Sequence, residues 1–122
     1  MHHILLVDDD LNFRRSLVIQ LEFEGHRVTA VESAYHAFAY LKRHHSGHNN
    51  PDIVITDVRM PDIGGGEFVM RLREQYRNIP VLVISAFDLP EELVGYPFLR
   101  KPFKIQEMVE IVDKLIRNFS QE

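Results

Sequence analysis

The chain reads as a single α/β domain, a doubly wound sheet of five parallel strands alternating with helices. Three observations predict this. Ile4-Leu5-Leu6-Val7, Ile53-Val54-Ile55-Thr56 and Pro80-Val81-Leu82-Val83-Ile84 are short apolar or β-branched runs without clean alternation, the pattern of parallel strands buried on both faces. Each run stops abruptly on a polar group, at Asp8-Asp9, Asp57 and Ser85. The segments between strands are long enough for the helical crossovers that parallel pairing demands.

The elements follow in order. After the first strand, Asp10 reads as a helix cap, and Phe13, Leu17, Val18 and Leu21 recur at helical spacing from about Leu11 to Glu24, with Gly25 as the stop. Arg27 to Val31 is a partly polar second strand. Ser33 caps a helix from Ala34 to about His44, buried through Ala34, Ala37, Phe38 and Leu41. Residues 46–51 are turn chemistry. The third strand runs into Asp57, and a helix follows over roughly Glu67 to Tyr76. After the fourth strand, Phe98-Leu99-Arg100 is the last strand, ending on Lys101-Pro102. Ile105, Met108, Val109, Val112, Leu115, Ile116 and Phe119 form the apolar stripe of a final helix from about Ile105 to Phe119.

With 122 residues, 45% of them hydrophobic and 26% charged, the chain fits one globular domain over 1–122 with a real core. A net charge of −4 gives no support to a nucleic-acid surface. The absence of cysteine excludes disulfides, thiol catalysis and thiolate metal sites, and suits a cytoplasmic protein. No apolar run is long enough to span a membrane, and Met1-His2-His3 leads straight into a strand, which leaves no room for a signal peptide.

If the strands are parallel and adjacent, Asp8, Asp9, Asp57 and Ser85 converge at the carboxyl edge of the sheet, where open α/β folds bind ligands. Crowded carboxylates repel, and a hard divalent cation such as Mg²⁺ relieves that repulsion through oxygen ligands. With a lysine and a hydroxyl donor beside them, this is an arrangement for phosphoryl transfer, where catalysis is mostly positioning and charge neutralisation.

Val7-Asp8-Asp9, Thr56-Asp57 with Met60-Pro61, Ile84-Ser85-Ala86 and Lys101-Pro102-Phe103 together resemble the motifs of two-component response-regulator receiver domains, from Ile4 to about Phe119. Each motif alone is weak, but four in order at suitable strand ends are specific. The resemblance implies a flavodoxin-like sheet in strand order 2-1-3-4-5, the order for which a receiver is itself a standing example. It implies that Asp57 is the phosphoacceptor, attacking a phosphohistidine or small acyl phosphate. By the same resemblance Asp9 and Asp57 are direct Mg²⁺ ligands, Asp8 acts through water, and the Arg59 backbone carbonyl completes the set. Ser85 and Lys101 would each bind a phosphoryl oxygen, Lys101-Pro102 would be cis, and Phe98 would be the switch aromatic, without the hydroxyl of a tyrosine. The partners implied are a sensor histidine kinase or histidine phosphotransfer protein and a downstream output protein or domain outside this chain. No direct nucleic-acid binding or membrane role is implied for this domain, and a homodimer stays open.

Two departures from the family pattern stand out. Only sixteen positions separate Ser85 from Lys101, short of the usual receiver by about one and a half helical turns. The fourth helix is therefore expected to be stunted or missing, which touches the signalling or dimer face and leaves the phosphorylation pocket intact. Gly64-Gly65-Gly66 replaces the polar cap before the third helix and predicts a looser loop. Arg59 and Phe87, two residues beyond Asp57 and Ser85, are expected at the phosphate entrance and to tune phosphoryl lifetime.

Each residue also has a plainer role. Asp8-Asp9-Asp10 alone could be a solvated helix start, Asp57 a turn residue, Ser85 a strand end and Lys101 a surface lysine; their agreement in order argues against all four. His36, His44, His45 and His48 straddle a helix end and a loop without ligand partners, so a solvated origin is favoured over a metal cluster. A phosphatase of the haloacid-dehalogenase type, using Asp8 as nucleophile and Asp10 as general acid, would leave Asp57 without a role. A pseudo-receiver used only for protein binding would not need the intact acids and Lys101. The leading reading is a switch that catalyses its own phosphorylation and dephosphorylation and is otherwise no enzyme.

Overall fold

A computed structural model describes residues 1–44, 47 and 49–120. The elements are β1 (His3–Val7), α1 (Leu11–Phe23), β2 (Arg27–Val31), α2 (Ala34–His44), β3 (Ile53–Asp57), α3 (Gly65–Gln75), β4 (Val81–Ser85), β5 (Phe98–Arg100) and α4 (Ile105–Ser120). All neighbouring strands are parallel, and the sheet order is β2-β1-β3-β4-β5. The flavodoxin-like order implied by the motifs is the order observed.

Strands β1, β3 and β4 are buried along their whole length, because helices cover both faces. Leu5, Val7, Val54, Val81 and Val83 pack with Ala37 and Leu41 of α2 and Phe68, Val69 and Leu72 of α3. The alternate residues Ile4, Leu6, Ile53, Ile55, Leu82 and Ile84 pack with Leu17 and Leu21 of α1 and Met108 and Val112 of α4. The weaker hydrophobicity of β2 follows from its place at the edge.

Between β4 and β5 there is no α-helix, only a single 3₁₀ turn at Glu91–Leu93. The missing helix anticipated from the short Ser85–Lys101 spacing is real. In its place one side chain, Leu93, is fully buried in the α2/α3 core, with Leu89 and Tyr96 packed beside it.

Local chemistry sets the helix ends. The Asp10 side chain accepts the Phe13 N–H at 3.1 Å and caps α1, and Gly25 takes φ +94° just after it. Ser33 Oγ accepts the His36 N–H at 3.1 Å at the start of α2. A second cap arrives from far along the chain: the Asp62 carboxylate accepts the Ala34 N–H at 3.3 Å and the Tyr35 N–H at 2.7 Å.

The third helix starts at Gly65 rather than Glu67, and the glycines do more than loosen the loop. Gly64 caps α3 without a side chain. A Cβ on Gly65 would lie 2.6 Å from the backbone of Val58, and one on Gly66 would lie 2.6 Å from the Glu92 side chain. At Gly65 the close approach of backbone requires glycine, whereas at Gly66 the flexible, exposed Glu92 side chain can move aside.

Candidate functional site at the carboxyl edge of the sheet

Register brings the site together. Val7 pairs with Thr56, so the next residues, Asp8 and Asp57, leave adjacent strand ends side by side. Asp57 pairs with Ile84 and Ser85 with Arg100, which sets Ser85 and Lys101 one step further along the same edge. Asp8 is 1% exposed and Asp57 8%.

Lys101 joins them. Its Nζ donates to Asp8 Oδ2 at 2.9 Å and to Asp57 Oδ2 at 2.6 Å, with the lysine side chain itself only 16% exposed. The remaining carboxylate oxygens are held by backbone: Asp10 N–H donates to Asp8 Oδ1 at 2.9 Å and Arg59 N–H to Asp57 Oδ1 at 2.8 Å. Arg14 Nη1 donates to the Asp8 carbonyl at 2.7 Å and ties α1 to the same loop. Lys101 N–H donates to the Ser85 carbonyl at 2.8 Å, and Lys101-Pro102 is cis as expected.

Two buried carboxylates against one ammonium leave the cluster with an excess of negative charge. Burial pushes the Asp8 carboxyl up, and the hydrogen bonds from Lys101 and the Asp10 amide only partly offset it. Burial alone would lower Lys101, but its bonds to Asp57 and Asp8 outweigh that and hold it above the usual lysine value. The ammonium therefore stays charged, and Asp8 is under-compensated. At Asp62, burial pushes up while the Tyr35 and Ala34 amides pull the carboxyl below its usual range.

The other expected residues fall into place less tightly. Ser85 is fully buried, and its Oγ accepts the Phe87 N–H at 2.9 Å. Asp9 is exposed, and among the described residues no three His, Asp or Glu side chains gather closely enough to hold a metal ion. The three carboxylates anticipated at the edge are thus two in contact through Lys101, with a third outside. Asp10 acts as the cap of α1 and stands exposed, apart from the Asp8–Asp57–Lys101 cluster. Phe98 is partly buried against the α2/α3 core with the Arg100 guanidinium 5.8 Å from its ring centroid. The Arg59 guanidinium lies 3.7 Å from the centroid of Phe87, so the two predicted entrance residues touch each other. His36 bonds Ser33 Oγ at 2.7 Å and His44 packs on Tyr40; His45 and His48 lie outside the described residues.

Sequence reasoning missed Phe13 as part of this site. The Lys101 Nζ sits 3.8 Å from the centroid of its ring, and Phe103 meets that ring edge-on at 6.2 Å. Helical spacing marked Phe13 only as core.

Hard carboxylate oxygens and a residual negative charge are a donor set suited to Mg²⁺. Asp8 and Asp57 are the carboxylates of this chain that could offer oxygen ligands to such an ion.

Fold and site together define an α/β domain with an acid–lysine cluster at the carboxyl edge of a parallel sheet. A family model described as the response regulator receiver domain matches residues 4–113, and the chain belongs to that family. It is 33% identical to the virulence transcriptional regulatory protein PhoP of Salmonella typhimurium, over 98% of this chain and 54% of that one. It is also 33% identical to the response regulator MprA of a Mycobacterium species, over 98% of this chain and 52% of the relative. The chain spans about half the length of the curated relatives it matches. A receiver domain from Clostridium thermocellum has the same fold, with a TM-score of 0.87 at 22% identity, covering 99% of this chain and 98% of that one. Among the described residues no helix is long and apolar enough to cross a membrane.

Proposed function

We propose that this domain is a phosphorylation switch of a two-component system, with Asp57 as phosphoacceptor. The observation that carries the reading is the Lys101 ammonium held between Asp8 and Asp57 at 2.9 and 2.6 Å. The donor is a phosphohistidine on a sensor histidine kinase or histidine phosphotransfer protein, or a small acyl phosphate.

A carboxylate oxygen of Asp57 attacks phosphorus and the bond from phosphorus to the donor nitrogen breaks. The electron pair returns to the imidazole, leaving an aspartyl phosphate. Lys101 shifts from the Asp57 carboxylate to a phosphoryl oxygen while Asp8 keeps it charged. The Ser85 hydroxyl, whose oxygen already accepts the Phe87 N–H, donates a hydrogen bond to another phosphoryl oxygen. Asp9, Asp57 and the Arg59 carbonyl would hold Mg²⁺ directly, with Asp8 acting through water, and the ion would supply charge neutralisation at the transferring group. Water attack on the same phosphorus breaks its bond to the Asp57 oxygen, releases phosphate and restores the carboxylate, so the reaction resets the switch and is not the domain's metabolic role.

Pulling Ser85 toward the phosphoryl group draws on the β4–β5 connection, and Phe98 on β5 is the aromatic that would repack. Arg59 stacked on Phe87 narrows the approach for water. We therefore expect faster decay of the phosphorylated state in Phe87→Ala; equal decay would remove both residues from that role. The output is a downstream protein or domain outside these residues, with no nucleic-acid contact by the receiver itself. The setting is the cytoplasm, and a homodimer is compatible with the fold.

Intact mass after incubation with acetyl phosphate and Mg²⁺ tests the reading. A single labile adduct that needs Mg²⁺ and vanishes in Asp57→Asn is expected. No adduct on the wild-type chain would favour a phosphorylation-independent binding module, and an adduct surviving in Asp57→Asn would redirect attention to Asp8.

A further inference from the structure

We propose that Phe13 is a positioning residue for the Lys101 ammonium: its ring packs on the ammonium as a third wall of the lysine's site, beside the two carboxylates. The inference rests on the phosphotransfer reading of the same cluster and adds a residue to it. Nζ lies 3.8 Å from the Phe13 centroid, as well as 2.9 Å from Asp8 Oδ2 and 2.6 Å from Asp57 Oδ2.

The placement is built. Asp10 N–H bonds the Asp8 carboxylate, and the Asp10 side chain caps the Phe13 N–H, so one residue links the acid to the ring. Arg14, next in the chain, donates to the Asp8 carbonyl. Phe103, two residues beyond Lys101, braces the Phe13 ring from its edge at 84°. The first turn of α1 and the segment after β5 thereby meet next to the ammonium.

The chemical reason is desolvation. An ammonium stripped of most of its water needs compensation on every side, and an aromatic face offers it without a fixed acceptor direction. Two N–H groups are directed at the carboxylates. Over the ring the ammonium can turn from Asp57 toward a phosphoryl oxygen without first recruiting water, which is preorganisation of the kind that favours charge transfer. A leucine in place of Phe13 would fill space but attract nothing.

Fluorinated phenylalanines at position 13 separate attraction from packing, because fluorine drains the ring's negative face while nearly keeping its shape. With one, two and three ring fluorines we expect the rate of adduct formation with acetyl phosphate to fall stepwise, by roughly threefold or more over the series, at unchanged melting temperature. Phe13→Trp should retain the rate and Phe13→Leu should lose it. Independently of phosphodonor and Mg²⁺, the Lys101 side-chain methylene protons should resonate upfield from the ring current, and drift back along the series. A flat rate series, or an unshifted methylene in the wild-type chain, overturns the role of Phe13. A wild-type chain that forms no adduct instead overturns the phosphotransfer reading, and the methylene shift still decides whether the ring holds the lysine.

Discussion

At the carboxyl end of the sheet Asp8, Asp57 and Lys101 are buried together. At the amino end the buried imidazoles of His3 and His26 have neutral hydrogen-bond partners, His3 the Thr29 hydroxyl at 2.8 Å and His26 the His2 backbone N–H at 3.3 Å, while the Asp52 carboxylate accepts only the His3 backbone N–H. The consequences are opposite. Burial lowers both imidazoles, with Arg27 adding to the effect at His3 and Asp113 only partly offsetting it at His26. Lys101, largely removed from water, is held above its usual value by its two carboxylates. Burial by itself discharges a side chain, and only an opposite charge at bonding distance keeps one ionised in the interior. At one end of the sheet burial thus works against imidazole charge, and at the other two carboxylates hold an ammonium.

Removing the ammonium is the strongest way to break that contrast. Lys101→Met leaves two buried carboxylates facing each other, and we expect a loss of about 3 kcal/mol of stability near neutral pH, measured by urea unfolding. The loss should shrink in mild acid, because Asp8, already pushed up by burial, can take a proton. A loss independent of pH would mean that the contact is packing and not charge.

Gly65→Ala disturbs the same end by steric means. Its Cβ would meet the Val58 backbone beside Asp57, and overpacking of this kind costs about 1–3 kcal/mol. A melting temperature equal to that of the wild type would show that the loop yields freely.

Asp62→Ala removes a charged cap at the start of α2, with an expected cost of about 1 kcal/mol. The carboxyl is lowered in the fold, so its contribution is present above the unfolded value of 3.8 and is lost as pH falls through the lower folded one. Parallel acid unfolding curves for variant and wild type would contradict this.

His26→Gln addresses the amino end and should have the smallest effect. Because the imidazole is lowered in the fold, its contribution is full above 6.5 and declines as the pH falls toward the folded value. The variant should flatten that part of the stability profile by less than about 1 kcal/mol. An unchanged slope would mean that His26 titrates as it does in the unfolded chain.

Much of this was legible along the chain. The apolar runs ending on Asp8, Asp57 and Ser85 marked three central strands, and Asp10, Ser33 and Gly25 marked helix ends within a turn of where they act. The spacing from Ser85 to Lys101 announced the lost helix. What stayed illegible joins residues far apart: Asp62 capping a helix that begins at Ala34, Val58 pressing on Gly65, Leu93 filling the core where a helix would lie, and Phe13 beneath Lys101. The exposed position of Asp9, separate from the two buried acids, was equally out of reach.

The sequence by itself determined strand and helix identity, their order and the polar residues at the strand ends. These depend on periodicity and on side-chain chemistry within a few residues. Only the tertiary structure decided that two carboxylates share one ammonium, that a phenyl ring packs on it beside them, and that burial at the other end works against imidazole charge. Charge state in an interior depends on what lies within a few ångströms, and chain distance carries almost none of that information.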